Sequence, residues 1–322
     1  MSMHTGRPLV ILAGPTATGK TAASVALAKR LRGSIISADS MQVYRGMDIG
    51  SAKVTAEEMQ GIPHYLIDVA DPKESWNVVR FQKEAQAALE QIYAQGRLPI
   101  LVGGTGFYIQ ALLYGIDFTQ MDADTGYRTY LEEEARREGP GALYSRLQEV
   151  DPAAAQAIHP NNVKRIIRAL EFAQKSGGLR ISDHNRNERQ RGPVYRASFF
   201  VFTMNRERLY ERIDARVDRM MEEGLVEEVR RLRARGLTPE DVSMQGIGYR
   251  QILRALDGDY SMEEAVRLIK RDSRHFAKRQ LTWFKRERDV IRVDLDAFTD
   301  QEALLDFLQK HISHSVSGKA EE

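Results

Sequence analysis

Apolar residues fall along this chain in short blocks that alternate between two periods. Residues 9–13 are an unbroken apolar run, and 98–102 and 197–202 are nearly so. Runs of that length, apolar throughout, fit strands buried on both faces of a parallel sheet. The pieces at 34–38, 64–69 and 290–294 read the same way. Between strands the period becomes helical. Over 75–95, Val78, Val79, Phe81, Ala85, Ala88, Leu89 and Ile92 recur at helical spacing, and Gly96 closes the element. Strand and helix alternate through the first hundred residues and resume near 197. This predicts an α/β fold built on a parallel sheet.

The middle of the chain breaks the alternation. Residues 125–139, 142–150 and 162–175 read as helices with no strand between them. In the last of these Val163, Ile166, Ile167 and Leu170 share a face, while Lys164, Arg165 and Arg168 point elsewhere. A solvated charged face is the ordinary reading of such a group. Gly177 and Gly178 lead into 182–191, a polar stretch expected to be a mobile loop. The predicted organisation is therefore a catalytic core at 1–116 and 195–322, with a helical insertion at 117–194. After the strand at 197–202, Leu209, Ile213, Val217 and Met220 form a helical stripe. Arg212, Arg216 and Arg219 lie together beside it, and Gly224 marks a break. Residues 244–250 read as a polar, Gly-bearing turn, and 261–288 as one or two helices. The tail from 313 to 322 is expected to be disordered.

The strand at 9–13 runs into Gly14-Pro15-Thr16-Ala17-Thr18-Gly19-Lys20-Thr21, and a helix follows. Strand, Gly-rich turn and helix are the context of a phosphate-binding P-loop. Glycines let the backbone approach a phosphate, and the helix N-terminus adds free N–H donors and its dipole. Lys20 supplies a positive charge and the Thr21 hydroxyl a magnesium ligand. The loop implies a bound di- or triphosphate without naming the reaction. Asp39 ends the strand at 34–38, at the sheet edge where ligands collect. It is a candidate base or metal ligand, or else a cap. The strand at 98–102 ends in Gly103-Gly104-Thr105-Gly106, where phosphoryl-transfer enzymes usually place an acidic residue. That tilts the reading away from a kinase.

Composition narrows the picture further. At 322 residues and 42% hydrophobic content, the chain can build two domains, or one with a large insertion. It has no cysteine, which excludes disulfides and thiolate-bound zinc and fits a cytoplasmic compartment. No apolar run approaches the roughly 20 residues of a membrane span. Net charge is only +2, so the placing of basic residues matters more than their sum. They concentrate late: Lys270, Arg271, Arg274, Lys278, Arg279, Lys285, Arg286 and Arg288, with Gln280, Trp283 and Phe284 interleaved. The pattern suits a nucleic-acid backbone and unstacked bases. It equally suits an apolar anchor face with a solvated basic back.

Taken in order, these segments resemble the tRNA dimethylallyltransferase (tRNA isopentenyltransferase) family, bacterial type. The resemblance rests on the P-loop, on Asp39-Ser40-Met41-Gln42-Val43-Tyr44, on Gly103-Gly104-Thr105-Gly106-Phe107-Tyr108 and on Asn162 through Glu171. It also rests on Gly246-Ile247-Gly248-Tyr249-Arg250 and on Lys278-Arg279-Gln280-Leu281-Thr282-Trp283. Thr18 stands where the family more often has Ser. The resemblance implies a P-loop NTPase-like core and transfer of a dimethylallyl group from dimethylallyl diphosphate. The acceptor is the exocyclic amine of the adenosine just 3′ of the anticodon (position 37), in tRNAs reading codons that begin with U. Magnesium is required and diphosphate is released.

The same resemblance assigns roles. Gly14, Pro15, Thr16, Ala17, Thr18, Gly19, Lys20, Thr21 and Arg216 would bind the diphosphate. Asp39 would act as general base or orient the amine, with Thr105 near the reacting groups. Ser40, Met41 and Gln42 would line the adenine end. Arg128 and Lys164, Arg165, Ile166, Ile167 and Arg168 would grip the anticodon stem-loop. So would Gln245, Gly246, Ile247, Gly248, Tyr249 and Arg250, together with Lys278, Arg279, Gln280, Trp283 and Lys285. The base would be flipped out to react. The enzyme is expected to be a monomer with no membrane partner. The rival readings are a P-loop small-molecule kinase and an adenylate prenyltransferase. A P-loop GTPase switch lacks its guanine-reading Asn-Lys-x-Asp motif here.

Overall fold

Strand β1 (Pro8–Ala13) is apolar on both faces because it lies in the middle of a sheet covered on both sides. A computed structural model describes residues 6–118, 125–190 and 192–316. The chain divides into two compact units, Met1–Leu113 with Val194–Glu322, and Tyr114–Pro193.

In the first unit β1 is followed by α1 (Lys20–Leu31), β2 (Gly33–Ala38), a short α2 (Ala56–Met59), β3 (His64–Tyr65), α3 (Val78–Ala94), β4 (Leu98–Gly103) and α4 (Gly106–Leu113). The second unit holds α5 (Thr125–Glu138), α6 (Pro140–Val150), α7 (Pro152–Ala157), α8 (Val163–Lys175) and α9 (Ile181–Gln190). The first unit then resumes with β5 (Arg196–Thr203), α10 (Arg206–Glu222), α11 (Leu225–Ala234), α12 (Tyr249–Leu256), α13 (Met262–Phe284), β6 (Ile291–Asp294) and α14 (Gln301–Val316).

The six strands form one parallel sheet in the order β3-β2-β4-β1-β5-β6. Helices α1 and α14 seal one face, with Val10, Leu12, Leu27, Phe200, Phe202, Leu305 and Leu308 in a single core. On the other face α3 and α4 pack on the strands, and Phe81 stacks on Tyr108 at 4.4 Å. Ala13 pairs with Gly103 on one side and Val201 on the other, and Gly103 pairs in turn with Ala38. Strands β1, β4 and β2 therefore end on one row, while β5 runs two residues further, to Thr203.

Three expectations need correction. The strand expected at 64–69 pairs only through His64 and Tyr65, because Leu66 (φ 62°) and Asp68 (φ 55°) turn the backbone out of the ladder. The polar stretch 182–191 is not a loop over its described part: α9 runs to Gln190, and Arg191 lies outside the described residues. Ile181 is buried, and the wholly buried Asp151 accepts from both the N–H and the hydroxyl of Ser182. These anchors hold a segment whose composition alone reads as loose. The tail expected to be disordered from 313 is helical to Val316, because Leu304, Leu305, Leu308 and Ile312 give α14 a buried stripe. Residues 317–322 lie outside the described residues.

Candidate active site

The P-loop leaves β1 and returns as α1, with Ala17 (φ 66°) and Gly19 (φ 80°) in left-handed conformation. Such turns are cheap at Gly and strained at Ala, so the fold must hold Ala17 in place. It does so through α10: Arg212 Nε donates to the Ala17 carbonyl at 2.8 Å. One turn along the same helix, Arg216 Nη1 donates to the Thr16 hydroxyl at 2.7 Å. The Thr18 hydroxyl donates to the Pro15 carbonyl at 2.8 Å and is buried, so this side chain braces the loop. Thr21 is exposed at the first turn of α1, and its hydroxyl makes no hydrogen bond among the described residues.

Lys20 is half-exposed as a residue, but its ammonium is withdrawn into the loop and donates to the Pro15 carbonyl at 2.6 Å. Burial, then the neighbouring Arg216, push its pKa down to about 7, while Asp39 pulls it back up. Arg216 carries the same tension: burial disfavours its charge, and Asp39 supports it. Two desolvated cations thus converge on one loop, with one carboxylate near both.

Asp39 projects from the end of β2, and its Oδ1 accepts from the Met41 N–H at 2.8 Å. In the sheet β2 does not adjoin β1; β4 lies between them. The Gly-Gly-Thr end of β4 is explained by that placement. A Cβ on Gly103 would sit 2.3 Å from the Ala38 carbonyl oxygen, and one on Gly104 would lie 3.2 Å from the Gly14 carbonyl. A side chain at Gly103 would collide with the Ala38 backbone, and one at Gly104 with the Gln280 amide. Thr105, next in line, is half-buried and donates its N–H to the Ala38 carbonyl at 3.3 Å. Gln42 turns its amide onto the Ala52 carbonyl and receives the Ser37 hydroxyl; Ser40 and Met41 are half-buried.

The turn at 245–250 packs against this segment. A Cβ on Gly246 would meet the Met41 methyl at 2.6 Å, and one on Gly50 would meet the Tyr249 ring at 2.5 Å. Tyr249 is fully buried and donates its hydroxyl to Glu228 at 2.8 Å. The Tyr249 ring packs against Gly50 and so supports that segment from behind, while the buried Gly248 lies against Leu225. Gln245 and Arg250 are exposed, Ile247 is half-buried, and Arg250 pairs with Asp272. On α13 Lys278 and Arg279 are exposed, as is Lys285 at its C-cap; Trp283 is half-buried and Gln280 is buried. The Gln280 amide is turned inward, accepting from the Thr16 N–H and donating to the Gly104 carbonyl.

Two residues escaped sequence reading. Arg212 was visible only as one of three arginines on a helix face. Glu228 is 1% exposed and accepts from the N–H groups of Asp48, Ile49 and Gly50 as well as from Tyr249. Its signal was a lone charge on the stripe Leu225, Glu228, Val229, Leu232, where an acid is stable only if hydrogen-bonded.

In the helical unit, Ile166 and Ile167 are buried with Leu131, Leu143, Leu147 and Leu170. Their side chains belong to the core that presents the helix. Lys164 and Arg165 are exposed, and Arg168 is half-buried. Arg128 grips the nearly buried Glu171 with two hydrogen bonds, of 3.0 and 2.7 Å.

A Gly-rich anion loop at the head of a central strand, in a parallel sheet with helices on both faces, defines a P-loop-type α/β protein. The chain belongs to the IPP transferase family, which it matches over residues 42–287, and it matches the Isopentenyl transferase family over residues 8–74. It is 54% identical over 299 residues to the tRNA dimethylallyltransferase of Lachnoclostridium phytofermentans, covering 93% of this chain and 95% of that protein. Among solved structures it is similar to the full-length tRNA isopentenylpyrophosphate transferase of Bacillus halodurans. There the identity is 44%, the TM-score 0.72, and the coverage 97% of this chain and 98% of the other. A eukaryotic dimethylallyltransferase captured acting on tRNA is similar with a TM-score of 0.79 at 30% identity, over 94% of this chain and 80% of that one.

Proposed function

We propose that the protein transfers a dimethylallyl group from dimethylallyl diphosphate to the exocyclic amine of the adenosine 3′ of the anticodon in tRNA, releasing diphosphate. The observation that carries this is the pair of desolvated cations, Lys20 and Arg216, on one loop, with Asp39 electrostatically linked to both across the glycine end of β4. In an allylic diphosphate the bond from C1 to the bridging oxygen breaks and its electron pair leaves on the diphosphate. Preorganised positive charge stabilises that leaving group. The amine lone pair forms the new C–N bond, and the amine proton passes to the Asp39 carboxylate. Thr105, beside the β4 end, would hydrogen-bond a reacting group.

Magnesium fits the donors present: the uncommitted Thr21 hydroxyl and diphosphate oxygens are hard ligands of the kind it takes. Among the described residues no group of three acidic or His side chains forms a cage, so Thr21 would hold an ion carried largely by the diphosphate. When bound, the ion would neutralise leaving-group charge. The exposed Lys164 and Arg165, with Lys278, Arg279 and Lys285, would take phosphates of the anticodon stem-loop. We place the enzyme in the cytoplasm, as a monomer.

The test is a transfer assay with labelled dimethylallyl diphosphate, magnesium and unmodified tRNA, with parallel tubes of AMP and of ATP. Prenylated adenosine in tRNA and none in AMP is the expected result. Label in AMP alone would identify an adenylate prenyltransferase. Transfer of the ATP γ-phosphate without prenylation would identify a kinase.

A further inference from the structure

The stretch from Lys278 to Trp283 has two faces. Lys278, Arg279 and Thr282 are exposed, whereas Gln280 is 7% exposed. Its Nε2 donates to the Gly104 carbonyl at 3.0 Å, and its Oε1 accepts from the Thr16 N–H at 3.1 Å. The fit is steric as well as polar. A Cβ on Gly104 would sit 2.0 Å from Gln280 Nε2, and one on Gly106 would sit 2.2 Å from the Trp283 ring. Gln280 and Trp283, three residues apart on α13, both seat on the glycine turn that ends β4.

We propose that Gln280 is a positioning residue for prenyl transfer: its amide ties the P-loop to the Gly103–Gly106 turn and so fixes the diphosphate cations relative to Thr105. An amide suits the task because one arm must donate while the other accepts. A carboxylate only accepts, and a thioether does neither well. The chain of contacts is continuous. Gln280 holds the Thr16 backbone, the Thr16 hydroxyl receives Arg216, and Arg216 lies beside Lys20 and Asp39. The same bond withdraws the Thr16 N–H from any phosphate and leaves the other loop amides for the ligand. This assignment rests on the prenyl-transfer reading, but it changes what the α13 stretch does. The outer face would meet RNA; the inner face sets the donor site.

Three variants test it: Gln280→Met, Gln280→Glu and Gly104→Ala, each with a thermal melt. Binding of inorganic pyrophosphate and of unmodified tRNA is measured separately, followed by steady-state kinetics in each substrate. Gln280→Met is expected to weaken pyrophosphate about tenfold, the scale of one lost hydrogen bond. It should raise KM for dimethylallyl diphosphate in parallel and leave tRNA affinity within about twofold. Gln280→Glu should lose more, because a carboxylate faces the Gly104 carbonyl and adds charge beside the anion. Gly104→Ala removes no polar group yet displaces the Gln280 arm, so it should reproduce Gln280→Met. Loss of tRNA affinity with pyrophosphate binding intact would overturn the assignment and make Gln280 an RNA contact. Unchanged pyrophosphate binding in Gly104→Ala would overturn it too, and that variant decides if the Gln280 variants do not fold. Pyrophosphate binding is read without turnover, so failure of wild-type prenyl transfer would sink the reaction and leave this result separate.

Discussion

Two groups of cations, one at the P-loop and one inside the helical unit, are held in opposite ways. In the first, Lys20, Arg212 and Arg216 donate to neutral oxygens of the P-loop, and none has a carboxylate within ion-pair distance among the described residues. In the helical unit, Arg128 is matched by Glu171 and Arg146 by Glu134. The first arrangement leaves Lys20 and Arg216 desolvated with only Asp39 to offset them, which is costly unless an anion arrives. The second is balanced internally and needs no ligand. A basic residue on a helix therefore says little by itself; the missing counter-charge is what marks a binding site. That contrast moves Arg128 from the RNA-gripping set toward the framework of its own unit, and it leaves the exposed Lys164 and Arg165 as the better candidates there.

The contrast can be broken most sharply at the P-loop. Lys20→Met or Arg216→Ala is expected to cut kcat about 10²–10³-fold, the scale of one lost electrostatic partner to a developing anion. A loss below tenfold would mean that the desolvated charge is not used. A middle-sized effect should appear with pH. The Lys20 ammonium titrates near 7 in the free protein, against an ordinary value near 10.4. As pH rises through 7 the loop loses its proton, so pyrophosphate affinity should fall by up to about tenfold per pH unit toward pH 9. Lys20→Arg, titrated with the same ligand, should flatten the profile. The sign for stability is the reverse. Between roughly pH 7 and 10 the unfolded chain binds the extra proton, so this site's penalty shrinks as pH rises. Identical profiles for wild type and Lys20→Arg would remove Lys20 from the anion site.

The smallest effect on turnover should come from Arg128→Ala. It strands Glu171 without its partner and should cost about 2 kcal/mol in thermal denaturation. Replacing both members, as Arg128→Met with Glu171→Leu, should recover most of that. An unchanged melting curve with weakened tRNA binding would return Arg128 to the RNA-facing surface.

The sheet was legible because its strands are short apolar blocks, and the P-loop because a Gly-x-x-x-x-Gly-Lys-Thr sequence between strand and helix has few other uses. Asp39 was legible from its place at a strand end. What stayed hidden depended on partners far away in sequence. Nothing near Gln280 reveals that its amide turns inward, since the basic residues around it advertise a solvent face. Glu228 reads as one more surface acid until three backbone N–H groups from 48–50 are brought to it. Tyr249, Ile166 and Ile167 lie inside motifs that resemblance assigns whole to RNA, yet burial divides each motif into a face that supports and a face that can touch. The helix α9 was missed because its anchor, Asp151, belongs to a different helix end.

The pairing of β1 with both β4 and β5 bears on how the protein comes into being. On the ribosome the P-loop strand is made almost at once, but one of its two neighbours ends only at Thr203, after the entire helical unit has been synthesised. The arginines and the glutamine that brace the loop come later still, on α10 and α13. A nascent chain can therefore display the P-loop sequence for most of its synthesis without an ordered anion site. Competence for diphosphate is acquired near the end of translation, when the last third of the chain closes over the first.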